Sequence, residues 1–90
     1  MLFRSDQSYT AKLLAQGVET CAKKFGEEAT ETVIAAIQKD KTELAKESAD
    51  VLYHLAVLWA ASGITPEDVY AVLKAREAMS GLEEKASRKS

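Results

Sequence analysis

Apolar residues recur at intervals of three and four along nearly the whole chain, and no stretch alternates with the two-residue period of a strand. Four glycines and one proline in 90 residues leave few places to break that pattern. The reading is all-α, a four-helix chain. Ser8 is the expected N-cap of a short first helix, "YTAKLLAQ", that stops near Gly17. A long second helix follows from about Val18 to Lys39, with Val18, Ala22, Ala29, Val33 and Ala36 as its expected core face. Asp40 then reads as an N-cap, with Glu43 three residues on completing a capping box. The third helix should run from Lys41 to Ser62 and end at Gly63. Thr65 caps the fourth, with Pro66 at its first position and Asp68 in its first turn. That helix should reach about Met79, before Gly81, leaving residues 81–90 as a polar tail expected to be mobile.

The third helix carries a further signal. From Val51 to Ala61 it reads "VLYHLAVLWAA", apolar around its whole circumference. Such a helix must be buried on every side. A single domain of 90 residues has few other helices to cover it and only a small core of its own. A second copy of the chain is the simplest cover, so a helical-bundle homodimer, or a higher assembly, is expected.

Charge and cysteine narrow the function classes. The net charge of −2 argues against a nucleic-acid surface, which is normally basic. The single cysteine, Cys21, cannot form an internal disulfide, which suits a reducing compartment, and its small, weakly polar side chain reads as core. No signal peptide is expected. Its longest apolar run is interrupted by His54 and falls well short of the roughly 20 residues a membrane helix needs. A cytoplasmic protein with no membrane partner is expected.

Two acidic pairs carry the candidate chemistry: Glu28 with Glu31, and Glu47 with Asp50. At about 100° per residue, Lys24, Glu27, Glu28 and Glu31 share one face of the second helix, roughly opposite Ala22, Ala29 and Val33. On the third helix the face of Glu47, Asp50 and His54 continues as Val57, Leu58 and Ala61. A Glu-x-x-Glu pair alone is common on solvated helix faces, where Lys neighbours balance it. Here the acidic face turns apolar within a turn, which places Glu47 and Asp50 at the core edge. Clustered carboxylates there repel one another and lose hydration, and a divalent cation compensates both effects. Oxygen ligands without cysteine suit Mg2+, or Mn2+. A ferritin-like di-iron centre would want Glu-x-x-His, which His54 does not complete.

Four segments, "SYTAKLL" from Ser8, "KKFGEEATE" from Lys23, "ESADVLYHLAVL" from Glu47 and "SGLEEKASRK" from Ser80, together resemble the phosphoribosyl-ATP pyrophosphohydrolase family of histidine biosynthesis. That family falls within the wider MazG-like group of all-α nucleotide pyrophosphatases. The acidic pairs alone would indicate only the wider group; the two end segments are more specific. The resemblance implies hydrolysis of phosphoribosyl-ATP to phosphoribosyl-AMP and pyrophosphate, Mg2+ dependence and at least a dimer. Position by position, it implies Glu28, Glu31, Glu47 and Asp50 as metal-binding carboxylates, with Glu27 as a ligand or supporting group. Glu31 or Glu28 is the expected water-activating base. Lys12, Lys24, Arg76, Lys85 and Arg88 are candidate phosphate contacts, and His54, matching the family's "LYH", is a further substrate-binding candidate. Tyr9 and Tyr53 could stack on a base or ribose, although packing explains them better. Family members usually carry a further helical stretch before the first segment, where Met1 to Gln7 stand here. The cyclohydrolase domain fused to this enzyme in some organisms has no counterpart, so a separate protein is expected to take the next step. The competing readings are a MazG-like house-cleaning nucleoside triphosphate pyrophosphatase and a non-enzymatic helical dimer whose acids are surface charge.

Overall fold

The computed structural model describes residues 3–87, with side chains described for 8–79. Four helices follow one another: α1 (Phe3–Gln16), α2 (Val18–Ile37), α3 (Lys41–Ser62) and α4 (Pro66–Ser87), with no strand among the described residues. The all-α expectation holds, and the inner boundaries fall close to where caps and glycines place them. Two outer boundaries differ. Ser8 is inside α1 rather than at its start, because the residues from Phe3 onward already support helix. Gly81 does not stop α4, which continues to Ser87. An isolated glycine costs a helix only about 1 kcal/mol, too little to end one flanked by good helix formers.

The junctions are set by local chemistry. Gly17 joins α1 to α2 at φ 97°, a conformation that disfavours any side chain. Asp40 accepts the Glu43 amide at 3.0 Å and so starts α3. Gly63 ends that helix in the left-handed region, at φ 76°. Thr65 and Asp68 cap α4 reciprocally: the Asp68 amide donates to Thr65 Oγ1 at 3.1 Å, and the Thr65 amide to Asp68 Oδ2 at 2.9 Å. Asp40→Ala is expected to cost about 1 kcal/mol, read as a lower denaturation midpoint at unchanged slope.

The short connection at Gln38–Asp40 makes α2 and α3 an antiparallel hairpin, and this pair holds most of the packing between helices. α1 lies against both. Leu13, Cys21 and Val57 form the buried centre, with Tyr53, Leu58 and Ala61 packed around it. Cys21 is core, as its composition suggests, and its thiol donates to the Leu13 carbonyl at 3.4 Å.

The core face expected for α2 needs correction. Val18, Ala22, Val33 and Ala36 are exposed, and Ala29 is half-buried. The face turned into the chain carries Cys21, Phe25, Glu28, Thr32 and Ala35. An apolar stripe identifies a face that must be covered, but not by which element. Similarly, α3 buries only His54 and Val57 fully, while Leu52 remains 67% exposed. α4 makes almost no contact with the other helices and exposes Tyr70, Val72, Leu73 and Met79.

Candidate functional site

The inward face of α2 brings Glu28 against α3, where Glu47 and Asp50 lie one turn apart. Carboxylate oxygens of Glu28, Glu47 and Asp50 all lie within 4.8 Å of one another. Glu28 and Glu47 are half-buried and Asp50 is exposed, so the cluster spans the edge of the core. One oxygen of Glu47 is buried without a hydrogen-bond partner. Loss of hydration, the charge of Glu31, hydrogen bonds with Glu43 and Glu31, and the charge of Asp50 together push Glu47 up from about 4.5 to about 7.

Glu31 therefore neighbours Glu47, although it is exposed and outside the three-residue cluster. Glu27 turns away and pairs with Lys24, Nζ to Oε1 at 3.7 Å, in an exposed i,i+3 contact of small energetic weight. Lys24 is thus held by Glu27, and Lys12 is exposed on α1. His54 is a core residue, 6% exposed, with its Nδ1 buried and unpartnered. Its ring meets the edges of Tyr53 at 5.0 Å and Tyr9 at 6.0 Å. Tyr9 and Tyr53 stack on each other at 6.3 Å, and the Tyr53 hydroxyl bonds that of Thr10. These aromatics pack α1 onto α3. Arg76 lines an open groove of about 500 Å3 along α4 with Ile64, Asp68, Val69, Val72 and Leu73, apart from the cluster acids. The Lys85 side chain and the whole of Arg88 lie outside the described residues.

Two participants escaped the sequence reading. Glu43, read only as part of a cap, sits one turn before Glu47 and helps push that carboxyl up; the i,i+4 spacing could have disclosed it. Thr32 donates from one hydroxyl to the Glu28 carbonyl at 2.8 Å and the Glu47 carbonyl at 3.2 Å. No sequence signal points to the second of these bonds.

The donor set fits a hard divalent cation. The three carboxylates offer oxygen only, they converge, and an oxygen of Glu47 lacks any other partner.

Fold and site together define an all-α protein with an acidic centre between two paired helices. Residues 4–77 match the family described as Phosphoribosyl-ATP pyrophosphohydrolase, and the chain belongs to that family. It is 63% identical to "Phosphoribosyl-ATP pyrophosphatase 1" of Bradyrhizobium diazoefficiens over 91% of this chain and 77% of that protein. It is 59% identical to "Phosphoribosyl-ATP pyrophosphatase" of Cereibacter sphaeroides, strain ATCC 17029, over 92% of this chain and 81% of that one. A third relative, "Phosphoribosyl-ATP pyrophosphatase" of Parvibaculum lavamentivorans, is 63% identical over 90% of this chain and 74% of its own length. Among the described residues, no helix is long and apolar enough to cross a membrane.

Proposed function

We infer that the chain hydrolyses phosphoribosyl-ATP to phosphoribosyl-AMP and pyrophosphate, the second step of histidine biosynthesis, as a Mg2+-dependent cytoplasmic homodimer. The observation that carries the chemistry is the convergence of Glu28, Glu47 and Asp50 around a buried, unpartnered Glu47 oxygen. Glu28, Glu47 and Asp50 hold Mg2+, or Mn2+ in its place. When bound, the cation neutralises charge on the non-bridging phosphate oxygens. Glu31, exposed beside Glu47 and outside the cluster of three, orients the attacking water and accepts its proton. The water oxygen bonds to phosphorus, the bridge between the α- and β-phosphates breaks, and pyrophosphate leaves. Lys12 and Arg76, both exposed, contact the phosphate chain, with Lys24 released from Glu27 as a third.

The dimer rests on what one chain leaves uncovered. Among the described residues, its buried apolar side chains are Leu13, Cys21, Ala35 and Val57. Its radius of gyration is 16.5 Å, against about 12 Å for a compact chain of this length. Its accessible surface is 6944 Å2, against about 5200 Å2 for a folded monomer of this mass. Among the described residues, Val33, Ile34, Ile37, Leu52, Tyr70 and Leu73, on three different helices, are large apolar side chains left exposed.

Pyrophosphate release from phosphoribosyl-ATP, measured beside ordinary and modified nucleoside triphosphates with and without Mg2+, tests the reading. Mg2+-dependent release with preference for phosphoribosyl-ATP is expected. Turnover of modified triphosphates in its place would assign the chain to house-cleaning chemistry instead.

A further inference from the structure

Thr32 and Thr30 sit two residues apart on α2 and make different bonds. Thr30 donates only within its own helix, to the Gly26 carbonyl at 3.0 Å. Thr32 donates to the Glu28 carbonyl in its own helix and, across the hairpin, to the Glu47 carbonyl. The main chains of two residues whose carboxylates converge are thus joined by a single half-buried hydroxyl.

The position of that bond matters because the cluster works against itself. Carboxylates within 4.8 Å of one another repel, and their helices relieve the repulsion by sliding or separating. Apolar packing resists separation but tolerates small slides along the axis. A directional bond at the level of the acids resists both. We propose that Thr32 is a positioning residue for the carboxylate centre: its shared hydroxyl fixes the register of α2 on α3 so that Glu28 stays opposed to Glu47 and Asp50 in the absence of a cation. This inference rests on the reading of those acids as a divalent-cation site. Thr32 touches no cation or substrate itself. It acts by lowering the reorganisation that binding would otherwise require, as supporting hydrogen bonds do in other metal centres.

The test uses Mn2+ alone, with free Mn2+ counted by electron paramagnetic resonance, on the whole chain and three variants. Thr32→Val keeps the shape and removes the hydroxyl. Thr32→Ser keeps the hydroxyl and removes the methyl group. Thr30→Val removes a purely local bond. The expectation is a Kd for Mn2+ raised about 10- to 100-fold in Thr32→Val and changed less than about twofold in Thr32→Ser and Thr30→Val. Activity of Thr32→Val should recover at saturating metal, a shift in the metal requirement rather than in kcat. Melting of the metal-free proteins, followed by circular dichroism, separates a structural role, which would lower the melting temperature of Thr32→Val while leaving the Kd of its folded fraction unchanged. That result, or equal loss in Thr32→Ser, overturns the inference while the acidic site stands. Failure of the unsubstituted chain to bind Mn2+ overturns both.

Discussion

Glu47→Gln should make the metal-free protein more stable at pH 8 while removing at least about a hundredfold of its activity. Both effects come from one carboxylate. In the folded chain Glu47 holds its proton up to about pH 7, against an ordinary value near 4.5, because it is dehydrated and surrounded by Glu31, Glu43 and Asp50. Between those two values the folded state binds more protons than the unfolded state, so stability falls as pH rises. The stabilising contribution is complete below about pH 4.5 and is lost as pH passes through about 7. Glutamine cannot ionise, and its amide can donate to the neighbouring acids that repel the carboxylate. Yet it is a poor ligand for a hard cation, and loss of even a supporting group in such centres costs 10- to 100-fold. Thermal melts from pH 5 to 8 in chelator should show the unsubstituted chain losing stability with pH and Glu47→Gln losing less. With Mg2+ and nucleotide added, the order at pH 8 should reverse, since only the intact site gains binding free energy. A metal-free Glu47→Gln protein that melts lower at pH 8 would contradict this account. So would an unsubstituted chain that gains stability across the same range.

The second large effect is expected at Leu73, on a helix that makes almost no contact with the rest of its own chain. Leu73 is 57% exposed on α4, where it lines the open groove with Ile64, Val69 and Val72. If a second copy covers this helix, Leu73→Asp removes a buried leucine at two symmetry-related places and leaves two charges in their stead. Burial of a leucine contributes about 1.5–3 kcal/mol, so about 3–6 kcal/mol is lost per dimer, or about 100- to 20,000-fold in the dissociation constant. Analytical ultracentrifugation across a dilution series should find a dimer for the parent chain and monomers for Leu73→Asp at the same concentration. If the two chains share one core, melting temperature should rise with protein concentration in the parent and collapse in the variant. If Leu73→Asp melted as the parent does, α4 would be a solvated helix and the exposed residues of α2 and α3 would need another explanation.

How legible each feature was follows from how local its cause is. Asp40, Gly63 and Thr65 act on backbone groups within a few residues, so the starts of α3 and α4 and the end of α3 could be read directly. The stop at Gly81 was overread because one glycine is a weak signal. The pairing of acids on each helix was legible because it is set by 3.6 residues per turn. Which acids converge was not. Glu27 shares the sequence face of Glu28, but it lies far enough around α2 to meet Lys24 instead. His54 lies on the acidic face of α3, but in space it packs among tyrosines.

By itself, the sequence determined that this is a helical chain, where its caps fall, that it carries two acidic pairs at helical spacing, and which family it resembles. These depend on backbone geometry and residue order, which any helix of this composition shares. Only the tertiary structure decided that the polar stripe of Glu28 and Thr32 faces α3 while Val33 and Ile37 face outward. It alone also decided that one hydroxyl joins the Glu28 and Glu47 backbones. The physical reason is that an apolar face lowers the free energy wherever it is covered, by its own chain or another, whereas a hydrogen bond across a hairpin exists in one register only.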